Sequence, residues 1–153
     1  MDTLSYKEYL DELQHNTGWY AFAEIMIDMI MPNANFDEAF DFLQEAGMRL
    51  AVSNSIPKTN TLHELTENIN ARLDFFKWGR LGIEDQGRRL VLQHDFLPRT
   101  QKTEEKMWVN GFAALLCGLY QQWLRQSGAP QTLNLTLDRI VSPSTLIFSL
   151  QKS

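Results

Sequence analysis

The stretch TEEKMWVNGFAALLCGLYQQWLRQSG, residues 103–128, decides the fold. Trp108, Phe112, Leu115, Leu119 and Trp123 recur at steps of four, three, four and four, which stacks them on one side of a 3.6-residue repeat. The spacing predicts one long amphipathic helix with a single apolar stripe turned to the core. Thr103 is placed to cap its start, with Glu104 and Glu105 at the positive end of the helix dipole. Arg125 sits in the last turn, Gly128 is suited to a left-handed stop, and Pro130 forbids continuation.

On either side of this helix the apolar period changes to two. Before it, Leu81 and Ile83, then Leu90, Leu92 and His94, flank a turn at Asp85-Gln86-Gly87. After it, Leu133, Leu135 and Leu137 pair with Leu146, Phe148 and Leu150 across Ser142-Pro143. Each pattern predicts a β-hairpin.

The N-terminal half is helical. Leu4, Tyr9, Leu10 and Leu13 predict a short helix, broken at His15-Asn16-Thr17-Gly18. A second helix follows from about Trp19 to Met31 and stops at Pro32. Trp19, Phe22, Met26, Met29 and Ile30 share one side of it, while Ile25, Ile27 and Met31 widen the apolar surface beyond one stripe. Asn35 with Glu38 resembles a capping box opening a third helix, with Phe36, Ala39, Phe40, Leu43, Gly47 and Leu50 inward. Gly47 is suited to close approach by another helix. Thr61 with Glu64 opens a fourth helix carrying Leu62, Leu65, Ile69, Leu73 and Phe76, which Trp78-Gly79 ends. The expected fold is α+β: N-terminal helices and one long C-terminal helix packed on a small antiparallel sheet of two hairpins, in a single domain spanning residues 1–153.

A chain of 153 residues is long enough to bury roughly 70% of its unfolded surface. Its 44% hydrophobic and 11% aromatic content exclude a disordered class, and a formal charge of -5 without any basic block argues against nucleic acid. A single cysteine, Cys117, lies beside the helical stripe and reads as a buried thiol. Lys7, Glu8, Asp11 and Glu12 precede any apolar segment, unlike a secretory signal, so the expected location is cytoplasmic rather than periplasmic. The apolar window Trp19–Met31 is interrupted by Glu24 and Asp28 and is too short for a membrane span.

The chemistry-bearing residues do not converge. There is no Gly-rich phosphate loop, and the histidines His15, His63 and His94 fall on different elements. After His63-Glu64, Glu67 stands where a zinc-hydrolase helix would carry its second histidine. Glu24, Asp28, Asp37, Glu38, Asp41, Glu64 and Glu67 read as solvated helix faces. No catalytic, cofactor-binding or metal-binding residue is assigned. What stands out is the tyrosine and tryptophan supply near the N-terminus, Tyr6, Tyr9, Trp19 and Tyr20, whose flat rings with polar edges suit packing, interfaces or sugar faces. Trp19 reads first as core. The breadth of the second helix nevertheless makes Trp19, Tyr20, Met26 and Met29 the candidate oligomer interface.

The helix ending at Trp78-Gly79, the hairpin closing with His94-Asp95-Phe96-Leu97-Pro98, then Trp108, Gly118-Leu119-Tyr120-x-x-Trp123 and Ser127-Gly128-Ala129 occur in a fairly specific order and spacing. A looser match runs from Phe42 to Ala51 with Gly47 and Arg49. In these motifs the chain resembles the BcsD family, the D protein of the bacterial cellulose synthase operon, over most of its length. The resemblance implies a motif core of Trp78, Gly79, Leu97, Pro98, Trp108, Gly118, Tyr120 and Trp123. It implies a non-enzymatic accessory protein that assembles as an octamer, a tetramer of dimers, and organises cellulose synthase complexes or nascent glucan so that crystalline cellulose is secreted. By the same resemblance Asp2, Thr3, Leu4, Ser5, Tyr6 and Tyr9 are candidates to line an internal passage or meet a partner. The implied partners are the cellulose synthase complex, a proline-rich accessory protein and glucan chains. The family has been described as a periplasmic glucan guide and as a cytoplasmic scaffold, and this chain favours the second. The rival reading is a small acidic dimeric secretion chaperone for an effector protein, against which the four helices before the first hairpin argue.

Overall fold

The structure is a computed structural model that describes residues 17–33, 35–100 and 103–152. The short helix expected around Leu4–Leu13 lies outside the described residues, as does His15. In chain order the elements are α1 (Thr17–Asn33), α2 (Phe36–Ser53), α3 (Leu62–Phe76), β1 (Arg80–Asp85), β2 (Leu90–Asp95), α4 (Glu105–Gln126), β3 (Leu133–Ser142) and β4 (Thr145–Lys152). The fold is α+β, with the two hairpins joined edge to edge in one antiparallel sheet of order β1-β2-β4-β3.

Alternation fixes the register. Leu81 pairs with His94 and His94 with Leu146, while Ile83, Leu92, Phe148 and Leu137 form a continuous row across all four strands. These rows bury one face of the sheet against α4. Both edge strands are also tied to helices by side chains. Asn70 of α3 donates from Nδ2 to the Leu81 carbonyl at 2.9 Å and accepts the Leu81 N–H at 2.7 Å. On the other edge Gln121 Oε1 accepts the Leu135 N–H at 3.0 Å, and the Cys117 thiol donates to the Leu135 carbonyl at 3.4 Å. These bonds occupy backbone groups that would otherwise offer a pairing edge to another chain.

The expected single stripe on α4 understates its burial. Besides Trp108, Phe112, Leu119 and Trp123, the helix buries Val109, Ala113, Ala114, Leu116, Cys117, Tyr120 and Leu124, and Leu115 of the stripe is only half-buried. The reason is that α4 runs between two layers, the sheet on one side and α2 on another, so apolar positions off the stripe also find partners. Its cap is Glu104 rather than Thr103: the Glu104 carboxylate accepts the N–H groups of Lys106 and Met107, both at 3.0 Å. At the far end Ala129 N–H reaches the Leu124 carbonyl and Gly128 N–H the Arg125 carbonyl, with Gly128 at φ 110°. This is the Schellman stop that the glycine and proline announce.

The capping residues of α2 and α3 act as their spacing suggests. Asn35 accepts Glu38 N–H at 2.8 Å and Thr61 accepts Glu64 N–H at 3.1 Å. Along α2, Ala39, Leu43, Gly47 and Ala51 are buried, but Phe36, expected inward, is exposed in the first turn with its ring 6.0 Å from Phe40. α3 ends at Phe76 and is capped by Lys77, whose left-handed φ of 64° lets Trp78 N–H reach Leu73 O.

Candidate interaction surface

α1 is apolar nearly all round, and the structure decides which side turns inward. Ile27 and Met31 are buried, Tyr20 packs on Trp108 with ring centroids 5.4 Å apart, and Ile27 fills the space above Gly111, where a Cβ would lie 2.9 Å from its Cγ2. The side carrying Trp19, Phe22, Met26 and Met29 faces out, together with Ile25. Trp19 is 72% exposed and Phe22 56%. The core expectation for Trp19 is therefore corrected. Glu24, expected on a solvated face, is buried and pins α1 to the segment before α4. Thr100 donates to its carboxylate at 3.1 Å, and Thr103 donates to its backbone carbonyl at 3.2 Å. With a buried polar anchor on one side, the helix cannot rotate its other apolar side into the core.

Where α1 leaves the core, an aromatic groove opens. A cavity of about 350 Å³ is lined by Trp19, Tyr20, Ala23 and Met26 of α1, by Phe76, Lys77 and Trp78 at the end of α3, by Pro98, and by Trp108 and Phe112 of α4. Its floor is closely packed. Trp78 lies tilted against Phe76 with ring centroids 4.9 Å apart and meets Phe112 edge-on at 5.0 Å, and Trp108 donates its indole N–H to the Pro98 carbonyl at 2.7 Å. Burial, with the Glu24 charge adding to it, pushes the Tyr20 phenol up to about 12, so its hydroxyl stays a neutral hydrogen-bonding tip.

Beneath the groove lies a buried polar relay. His94 Nε2–H donates to the Trp78 carbonyl at 2.8 Å, and because a carbonyl only accepts, this assigns the proton to Nε2. His94 Nδ1 then accepts the Tyr120 hydroxyl. Burial lowers the His94 pKa to about 4 against the smaller upward pulls of the Trp78 carbonyl and Asp95, and burial raises the Tyr120 pKa well above 10. The relay ties β2, α4 and the turn after α3 together. Gly79 makes it possible: at φ 116°, its missing Cβ would lie 2.3 Å from the Asp95 carbonyl.

Among the family-motif residues, Leu97, Trp108, Gly118, Tyr120 and Trp123 are buried, while Trp78, Gly79 and Pro98 are half-buried, Trp78 and Pro98 lining the groove. Trp123 donates its indole N–H to the Asn54 carbonyl at 3.0 Å. Asp2, Thr3, Leu4, Ser5, Tyr6 and Tyr9 lie outside the described residues. Among the described residues, no three His, Cys, Asp or Glu side chains converge as metal ligands, and no helix is long and apolar enough to cross a membrane. His63 is exposed on α3 and pairs with Glu67 at 3.0 Å. Burial pushes the Cys117 thiol up to about 12, which keeps it un-ionised. The sequence missed Asn70, Gln121 and Glu24 as anchors. The signal present was polarity beside an inward stripe, as with Asn70 next to Ile69.

The fold and surface define an α+β protein that exposes apolar and aromatic side chains on α1 beside an aromatic groove. Residues 5–150 match the family model for the D subunit of cellulose synthase, and the chain belongs to that family. It is 34% identical over 96 residues to two proteins named cellulose synthase operon protein D, one from Komagataeibacter xylinus and one from Komagataeibacter sucrofermentans. Each match covers 58% of this chain and 58% of the relative. Among solved structures, a trafficking protein particle complex subunit 3 from Naegleria fowleri, covalently bound to palmitic acid, aligns with a TM-score of 0.42 at 8% identity, over 98% of this chain and 92% of that one.

Proposed function

We propose that this chain is a non-enzymatic, self-assembling accessory subunit that organises cellulose synthase complexes or nascent glucan for the secretion of crystalline cellulose. One observation carries the reading: α1 exposes Trp19, Phe22, Ile25 and Met26 on one face with Asp28 as its single exposed charge. Aromatics and methionine without lysine or glutamate are the composition of an interface centre. Family membership supports the cellulose context. In this reading the candidate interface of Trp19, Tyr20, Met26 and Met29 joins copies into an octamer, built as a tetramer of dimers in the cytoplasm. A proline-rich accessory protein is its partner, for which exposed aromatic surface is suited, and Asp2, Thr3, Leu4, Ser5, Tyr6 and Tyr9 contact that partner or line a passage for glucan.

The test is the absolute mass of the purified protein by light scattering behind a sizing column. A mass near eight times 17.7 kDa is expected. A monomer at micromolar concentration sinks the reading, and a stable dimer that copurifies with an effector protein replaces it with a secretion chaperone.

A further inference from the structure

Phe96 combines two properties that the fold of one chain does not require together. Its φ is 62°, in the left-handed region where a bulky side chain is a steric outlier, and its side chain is 73% exposed. The backbone corner itself has a clear purpose, because it turns the chain out of β2 so that Leu97 is buried and its N–H reaches the Ser144 carbonyl at 3.1 Å. Glycine or asparagine would make that corner with less strain. Lys77 shares the conformation, but there it closes a helix. No cap accounts for Phe96, and its ring is largely in solvent. Strain retained at an exposed aromatic points to a contact outside the chain.

Its position says where. The Phe96 carbonyl lies against Gly79, at 2.7 Å from where a Cβ would stand, next to Trp78 of the aromatic groove, and Pro98 two residues on lines that groove. Trp19 lines it too, so the socket runs onto the outward face of α1, with Phe96 two residues before its Pro98 wall. With aromatic side chains offering about 150–250 Å² each, the exposed parts of Trp19, Phe22, Ile25 and Phe96 amount to about 500 Å². A stable dimer takes about 800 Å² from each partner, of which somewhat over half is apolar. These side chains meet that apolar share on their own.

Resting on the self-assembly reading above, we infer that Phe96 is the anchor of an isologous contact, seated in the aromatic groove of a second copy of this chain while that copy's Phe96 occupies the first chain's groove. A knob and a socket on one surface satisfy each other under a two-fold axis. The strain is then compensated only in the assembly.

The experiment compares wild type with Phe96→Gly and Phe96→Asn, measuring mass by light scattering across a dilution series and the urea midpoint of the separated chains. Both variants keep the left-handed corner. Loss of an interface anchor weakens association at least about 30-fold, so the variants should fall to a lower mass at concentrations where wild type is assembled. Their unfolding midpoints should hold or rise, since a strained residue has been relieved. Unchanged assembly in both variants overturns the anchor, whichever other partner Phe96 meets, and so does a fall in the unfolding midpoint together with assembly, which marks a folding role. A wild-type protein that is already monomeric sinks the self-assembly reading itself, and the two failures are thereby distinct.

Discussion

Gly47 of α2 and Gly118 of α4 stand at one helix crossing, each against the backbone of the other helix. A Cβ on Gly47 would lie 1.9 Å from the Leu115 carbonyl oxygen, and one on Gly118 would lie 1.8 Å from the Gln44 carbonyl oxygen. Neither obstacle is a side chain able to swing away. The crossing therefore sets how near α2 approaches α4, and with it the packing of Leu43 and Ala51 on the central helix.

Gly47→Ala and Gly118→Ala should each destabilise the fold, because overpacking against backbone costs about 1–3 kcal/mol or more while alanine returns only about 1 kcal/mol in helix propensity. The double variant should lose less than the sum, because one methyl already forces the helices apart. A double-mutant cycle by urea denaturation checks this, and strict additivity would show that the two sites are not coupled.

The buried relay predicts an acid weakness. His94 has a folded pKa of about 4 against 6.5 for the unfolded residue, so above pH 6.5 neither state is charged there and its stability contribution is complete. As pH falls from 6.5 to 4 the unfolded chain takes the proton first and stability drops, levelling off below 4. At about 1.4 kcal/mol per pKa unit the loss attributable to His94 is about 3 kcal/mol. Urea midpoints across this range should show the step in wild type and lack it in His94→Gln. An equal step in both proteins assigns it to other groups.

Trp123 is wholly buried within one chain, and its indole N–H is bonded to the Asn54 carbonyl. Trp123→Ala should cost about 3–5 kcal/mol through the cavity alone, and it leaves that carbonyl without its donor. The effect should appear as lost fold stability in dilute, unassembled protein. Dissociation of an otherwise stable chain would instead assign Trp123 to a subunit contact.

Much of this fold was legible because local signals and tertiary packing agree. The period of Trp108, Phe112, Leu119 and Trp123, the caps at Asn35 and Thr61, and the alternation of the four strands each point to the element that forms. Where tertiary partners decide, periodicity is silent. α1 has two apolar sides, and long-range partners select the one that turns inward, among them the bonds from Thr100 and Thr103 to Glu24 and the packing of Tyr20 on Trp108. Those partners are remote in sequence, so Trp19 read as core although it is exposed. The groove was legible in halves: Tyr20 and Trp19 drew notice as aromatics and Trp78 and Trp108 as motif residues, but nothing local shows that they share one cavity. Phe96 was not legible as special, since a backbone angle leaves no trace in composition.

The outward side of α1 supplies the last prediction. Phe22 and Ile25 are 56% and 58% exposed and contribute little to the core, so Phe22→Ser with Ile25→Ser should change the stability of the separated chain by no more than about 0.5 kcal/mol per site. Tyr20→Ala, by contrast, removes a ring packed on Trp108 and should lower it by a few kcal/mol. In assembly the order reverses. If copies join through this face, the double serine variant loses two apolar contacts at an interface centre and should run as a smaller species in light scattering while its circular dichroism and urea midpoint stay at wild-type values. A double serine variant that keeps the wild-type mass moves the interface off α1, and one that unfolds shows that this side of the helix is core after all.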